Sequence, residues 1–241
     1  MSLPSTQSSV VFWDFDGTLA QRDGLWASAL IDALASVDPA ASVDNSRLRA
    51  GLAMGFPWHT PETAVGPLSA DEWWRCLRPT FVRAFTAAGV HEELAKEASN
   101  RVGAEFYRVN AWELIEGAID ALTMTRAAGY RNVIVSNHGP ELPRLVDSLG
   151  LSCLIDFTVT SAKIGAEKPH PLIFESAMSR ADVSPADDVW MVGDNPIADV
   201  EGAERLGIRA LLADGIYADA AGLTTLEAAH VIAASTHPVR E

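Results

Sequence analysis

Residues Val10–Ala20 read VVFWDFDGTLA. Four apolar residues, Val10 to Trp13, run straight into Asp14, Phe15, Asp16, Gly17 and Thr18. An unbroken apolar run of this kind fits a strand covered on both faces. A period of two then places Asp14 and Asp16 on the same side of the chain. Two like charges so close are costly, and burial raises the cost. Either the pair faces water or a positive group sits beside it. Asp16-Gly17 alone is also an ordinary turn dipeptide, and an aspartate often caps a helix.

The rest of the chain places that stretch. Further strand-like runs occupy Asn132–Val135, Phe157–Thr160, Val189–Val192 and Arg209–Leu212. Helical patterns over Leu114–Ala128, Glu141–Leu149, Leu172–Arg180 and Ile197–Leu206 separate them, and Gly129, Gly150 and Gly207 stand just past three of these helices. That is the position of a C-terminal glycine. The alternation predicts a parallel sheet wrapped by helices, an α/β fold. In such sheets ligands bind beyond the carboxyl ends of the strands, where Asp14 and Asp16 stand.

More than a hundred residues separate the first strand from the second. Leu25–Ser36, Asp71–Ala88 and Glu92–Arg108 look helical there, and Gly51–Gly66, with Pro57 and Pro61, looks like a loop. The expectation is a core domain of residues 1–20 and 111–241, with a helical insertion over 21–110 above the end of the first strand. Thr225–Ala234 is a further helical stretch.

Composition narrows the partners. The chain has 241 residues, 48% of them hydrophobic, which suffices for a sizeable core. The net charge of −14 argues against nucleic acid and anionic membrane. It leaves room for a phosphorylated substrate, because a local cation overrides the global field. No apolar run reaches membrane-spanning length, and MSLPSTQSS lacks the marks of a signal peptide, so it reads as a disordered tail. Cys76 and Cys153 match no zinc pattern and read as two reduced thiols of a cytoplasmic protein. Oligomeric expectation stays at monomer or homodimer.

Three later segments repeat the pattern of the first. NVIVSNHGPEL ends an apolar run in Ser136, where a hydroxyl and a backbone N–H suit a phosphate oxygen as well as a helix cap. GAEKPHPLIF holds Lys168, one of three lysines against fifteen arginines, stiffened by Pro169 and Pro171. A rigid lysine before a helix suits a point charge aimed at an anion. VWMVGDNPIADVEGA ends an apolar run in Asp194, with Asp199 five residues on. Asp194 meeting Asp14 around a hard cation such as Mg2+ supplies the positive charge that the first motif lacks.

Taken together and in this order, DxDGT, strand-Ser, Lys-Pro and strand-GD with a following Asp closely resemble the haloacid dehalogenase-like hydrolase superfamily. The resemblance spans all four motifs, Val10 to about Ala203. It implies a Rossmann-like three-layer α/β/α core with strand order 5-4-1-2-3, and it makes the insertion a type-one helical cap. It also implies a magnesium-dependent phosphatase acting on a small phosphorylated metabolite through an aspartyl-phosphate. Asp14 would be the nucleophile and Asp16 the general acid and base. Ser136, Lys168 and the Asn137 N–H would bind the phosphoryl oxygens. Mg2+ would be held by the Asp14 and Asp194 carboxylates and the Asp16 carbonyl. Asp199 would orient Lys168 or a metal-bound water, and Gly17 and Thr18 would shape the turn delivering Asp16. Dehalogenases and phosphonate-cleaving members lack an acid at the second motif position, so Asp16 favours a phosphate ester. A sugar-phosphate mutase keeps both aspartates and stays open, as does a non-catalytic phosphate-binding module. Phosphoglycolate, a sugar phosphate and a nucleotide monophosphate all fit as substrates.

The insertion concentrates aromatic residues: Trp26, Trp58, Trp73 and Trp74 lie in it, with Trp112 at its exit. Trp58 and His59 sit in a Pro- and Gly-flanked loop that could reach the mouth of the site or leave His59 as a surface loop residue, and Arg22, just past the first motif, could meet a second anionic group. Trp73 and Trp74 fit packing between cap helices.

Overall fold

The structure, a computed structural model, describes residues 9–216 and 222–235. The N-terminal tail, apart from Ser9, lies outside the described residues. Among the described residues seven strands form: β1 (Ser9–Trp13), β2 (Ala20–Gln21), β3 (Glu113–Leu114), β4 (Arg131–Ser136), β5 (Phe157–Thr160), β6 (Asp188–Gly193) and β7 (Arg209–Leu212). Five of them make one parallel sheet in the order β5-β4-β1-β6-β7. Counted among those five strands and read from the other edge, the order is 5-4-1-2-3. β1 is central, so the Asp14–Asp16 segment leaves the middle of the sheet.

The helices of the core are α6 (Ala118–Ala127), α7 (Leu142–Ser148), α8 (Ser161–Ile164), α9 (Pro171–Ala181), α10 (Gly202–Glu204) and α11 (Thr225–Ser235), following α1 (Leu25–Val37), α2 (Asn45–Gly51), α3 (Ala70–Ala87), α4 (Glu92–Ser99) and α5 (Val102–Phe106) of the insertion. Alternate residues of β1 enter two different cores. Val11 and Trp13 join Leu122, Leu145 and Ile232 on one face. Val10 and Phe12 join Ile173, Phe174 and Met191 on the other. This is why the strand reads as a continuous apolar run. Each such side chain contributes on the order of 1.5–3 kcal/mol, so a polar residue at either phase would be costly.

Several expected boundaries move. The helix expected over Leu114–Ala128 starts only at Ala118, because Gly117 adopts φ 82° and the preceding Glu113–Leu114 pairs with Ala20–Gln21. The helix expected over Glu92–Arg108 breaks after Ser99 at Asn100, a weak helix former, and resumes at Val102. The stretch expected as helix over Ile197–Leu206 opens as a π-helical turn, Pro196–Glu201. Helices α2 and α8 and the β2–β3 ribbon carry too few residues to show a period.

The insertion is bound to the core rather than hanging from it. One continuous hydrophobic cluster includes Trp73, Phe81 and Phe85 of α3 together with Trp13 and Ile134 of the sheet. The Val65 and Leu68 N–H groups donate to the Gly165 and Ala162 carbonyls, both at 2.8 Å. The Trp74 Nε1–H donates to Glu141 Oε1 at 2.8 Å. Cys76 and Cys153 are free and exposed. Among the described residues no helix is long and apolar enough to cross a membrane.

Candidate active site

Asp14 follows the last residue of β1 and its N–H donates to the Val192 carbonyl of β6 at 2.8 Å. Pairing therefore continues one residue past the strand and holds the Asp14 side chain at the sheet edge. The chain then turns: Gly17 has φ 80°, and its N–H donates to the Ala20 carbonyl at 2.9 Å. Glycine is required here twice over, since a Cβ would also lie 2.2 Å from Asp194 Oδ2. The turn brings Asp16 back so that both aspartates line one cavity of about 380 Å3. Ser136, the last residue of β4, Asn137 just past it and Lys168 in the loop before α9 line the same cavity.

Lys168 is the hub. Its Nζ lies 2.8 Å from Asp14 Oδ1 and 2.5 Å from Asp199 Oδ1, and its side chain is almost wholly buried. Burial pulls the ammonium pKa down, but Asp14 and Asp199 more than reverse that, so its pKa ends above the ordinary value. Asn137 clasps the Lys168 backbone from both sides: Oδ1 accepts from the Lys168 N–H at 2.6 Å, and Nδ2 donates to the Lys168 carbonyl at 3.0 Å. The side chain of Asn137 is thus spent on positioning the lysine. The π-helical turn serves the same end. Asn195 Oδ1 accepts from the Ile197 and Ala198 N–H groups, while the Asn195 N–H donates to Asp199 Oδ2 at 3.0 Å. With one oxygen on that N–H and the other on Lys168, Asp199 is held rigidly. Turns of this type recur at functional sites.

Asp14, Asp194 and Asp199 bring carboxylate oxygens within 4.8 Å of one another. Burial, then the repulsion of Asp14 and Asp199, push Asp194 to about pH 7. Asp194 Oδ2 accepts from the Ile216 N–H at 2.7 Å, whereas Oδ1 is buried without a hydrogen-bond partner. Gly17 and Gly215 wall this carboxylate so closely that a Cβ on either would overlap it. A buried acid cluster with one orphaned oxygen, next to a strand end, fits a hard divalent cation. Thr18 is buried behind the turn, its carbonyl accepting from Thr225 Oγ1 at 2.7 Å.

His138 was not among the expected site residues. His138 is buried, with Nε2 3.6 Å from Asp16 Oδ1 and Nδ1 2.5 Å from the Tyr107 hydroxyl. Burial and the Glu141 charge hold the Tyr107 phenol well above its usual range, so it stays protonated beside the ring. The only signal was the position of His138 two residues beyond Ser136. Arg22, by contrast, does not reach the cavity. Its Nη2 is bonded to Asp32 Oδ2 at 2.7 Å and its Nη1 to the Glu105 carbonyl at 3.0 Å. The guanidinium is consumed inside the insertion, which corrects the expectation of a second anion site there. His170, without an expected role, caps α9 through the Leu172 N–H.

Trp58 and His59 do reach the cavity, together with Trp26 and Phe106. Trp26 stacks on Phe106 with centroids 4.2 Å apart, and Trp58 stacks on Phe56 at 4.3 Å. Trp73 and Trp74 pack against each other and against Trp26, as expected of cap-helix residues.

A parallel sheet with a reversed strand order beside β1, and acids, a hydroxyl and a lysine gathered at its carboxyl edge, define a doubly wound α/β hydrolase with an inserted helical unit. Residues 9–207 match the haloacid dehalogenase-like hydrolase family, and the chain belongs to it. Haloacid dehalogenase-like hydrolase domain-containing protein 3 of Mus musculus is 30% identical over 172 residues, 70% of this chain and 67% of that protein. Phosphoserine phosphatase of Thermus thermophilus is 33% identical over 136 residues, 56% of this chain and 53% of that enzyme. The chain spans under two thirds of most of the curated relatives it matches. Among solved structures, a putative beta-phosphoglucomutase of Thermotoga maritima aligns with TM-score 0.70 at 19% identity, over 93% of this chain and 98% of that one. A 2-haloacid dehalogenase of Pseudomonas syringae aligns with TM-score 0.63 at 22% identity, over 95% and 99%. These likenesses establish a shared fold.

Proposed function

We propose that this hydrolase is a magnesium-dependent phosphatase of small phosphate monoesters, with the helical insertion over residues 21–110 as its cap. The observation that carries the reading is the pairing of Asp14 and Asp16 in one cavity, with the Lys168 ammonium 2.8 Å from Asp14 Oδ1. An Asp14 oxygen attacks phosphorus and the ester P–O bond breaks. Asp16 gives its proton to the departing alkoxide. The product of this half is an aspartyl-phosphate on Asp14. Asp16, now a base, takes a proton from water as the water oxygen bonds to phosphorus. The phosphorus–Asp14 bond then breaks, releasing inorganic phosphate and restoring both acids.

Lys168 binds a non-bridging phosphoryl oxygen, and Ser136 offers its hydroxyl to another. Asp199 and Asn137 keep the lysine aimed. His138, steadied by Tyr107, sits where it can orient the Asp16 carboxylate. Asp14, Asp194 and the Asp16 carbonyl are the groups that would hold magnesium. When bound, the ion neutralises charge on the transferring phosphoryl group. Asp16 favours an ester over a carbon–halogen bond, since a halide leaves without a proton and an alkoxide does not.

Release of inorganic phosphate from a panel of small phosphoesters tests the reading, with and without magnesium. Turnover that needs the metal and vanishes in Asp14→Asn supports it. Folded protein that releases no phosphate from any ester refutes it. Slow water attack on a phosphoenzyme, relieved by a sugar bisphosphate, would point to a mutase instead.

A further inference from the structure

The floor and the roof of the cavity differ in chemistry. The floor carries all the charge: Asp14, Asp16 and Lys168. The roof, supplied by the insertion, is Leu25, Trp26, Trp58, His59, Pro61 and Phe106. Among the described residues lining the cavity, Lys168 is the only lysine or arginine. Both of its carboxylate partners are already in the site, so one phosphoryl group uses the cationic capacity present. Arg22 and Arg108 of the insertion are both bonded to Asp32.

The roof is also firmly built. Trp26 is braced by Phe106 and Phe81, and Trp58 by Phe56. The Phe56 N–H donates to His59 Nδ1 at 3.3 Å, which leaves the ring proton on Nε2. Burial lowers the His59 pKa, so the imidazole adds no charge. Leu25 takes φ 42°, in the left-handed region that a branched apolar residue rarely enters. Gly24, at φ 65°, precedes it in the same region. Strain of this kind persists where the surroundings enforce it, and here it belongs to a residue that lines the cavity.

We propose that the alcohol part of the substrate is uncharged and carries a flat apolar ring, so that the ester bears its negative charge on the phosphate alone. This rests on the phosphatase reading and names the substrate class for the same site. A ring placed against Trp26 and Trp58 gains area burial and stacking. A carboxylate or second phosphate there would lose its water and meet no cation. Phosphoglycolate and sugar bisphosphates are thereby disfavoured.

Three esters separate the possibilities: methyl, benzyl and 4-carboxybenzyl phosphate. Their alcohols have similar acidity, so differences in kcat/KM report the roof and not the leaving group. In the presence of magnesium, benzyl phosphate is expected to exceed methyl and 4-carboxybenzyl phosphate by about ten-fold or more. The benzyl-to-methyl ratio is expected to fall about ten-fold in Trp58→Ala and to return in Trp58→Phe. Equal or better use of 4-carboxybenzyl phosphate overturns the inference, as does an unchanged ratio in folded Trp58→Ala. If Trp58→Ala fails to fold, the three-ester comparison in the unmodified protein decides alone. Absence of turnover on all three and on 4-nitrophenyl phosphate overturns the phosphatase reading itself, and this inference with it.

Discussion

Glu167, next to the hub lysine, gives a prediction whose size follows from its surroundings. The residue is 6% exposed, lying where residues 57–68 of the insertion press on Ser161, Ala162 and Gly165. Its Oε2 is buried with no hydrogen-bond partner. Burial pushes the carboxyl from 4.5 to about 7, although Ser161, Lys168 and His138 pull it the other way. The folded state therefore holds a proton between about pH 4.5 and 7 that the unfolded chain has released. Proton uptake on folding means that stability falls as pH rises through this window, then levels off above it. With about 1.4 kcal/mol per pH unit, the cost is roughly 1 kcal/mol at pH 5 and about 3 kcal/mol at pH 8.5. Glu167→Gln removes the ionisation while keeping the shape. Urea unfolding at the two pH values should show a gain of about 1 kcal/mol at pH 5 and about 3 kcal/mol at pH 8.5. An equal change at both would mean that Glu167 is not charged in a sealed place, and the reasoning would fail.

Two further outcomes test the catalytic geometry. Asp16→Asn should lower kcat/KM for benzyl phosphate by about 10²–10⁴-fold, but far less for 4-nitrophenyl phosphate, whose phenolate leaves without a proton; equal losses would remove the acid role. Gly17→Ala puts a Cβ 2.2 Å from Asp194 Oδ2 at a φ of 80°. It should cost about 1–3 kcal/mol in thermal unfolding, and an unchanged melting temperature would show that the turn gives way.

Some of this was legible because the residues obey a period. The five core strands are short and β-rich, and β1, β4 and β6 close in Asp14, Ser136 and Asp194, so β1, β4, β5, β6 and β7 all lie where their runs stand. Asp14, Ser136, Lys168 and Asp194 follow from strand ends and spacing, and they converge. Tertiary pairing was not legible. Nothing in the spacing of Tyr107 and His138, 31 apart, announces their hydrogen bond. Arg22 lies before α1 and its partner Asp32 lies within it, ten residues on, at no local spacing that pairs them. The π-helical turn at Asp199 was hidden because its apolar pattern suits an ordinary helix, while the Asn195 bonds that accompany the turn leave no mark on that pattern.

The two-stranded ribbon has a consequence for how such a chain changes over time. Ala20 pairs with Leu114 and Gln21 with Glu113, so both connections to the insertion leave the core side by side. To the core, roughly ninety intervening residues are one long loop with its ends already joined. The entropy of closing a loop grows only with the logarithm of its length, about 0.6 kcal/mol for each doubling. Lengthening or trimming the inserted segment therefore adds little entropy of closure, and the cost of exchanging its helices lies in their packing against Trp13 and Ile134. A graft cut at Gln21 and Glu113 that keeps the contacts to Trp13, Ile134 and His138 is the place to test how far the roof can be rewritten over the same floor.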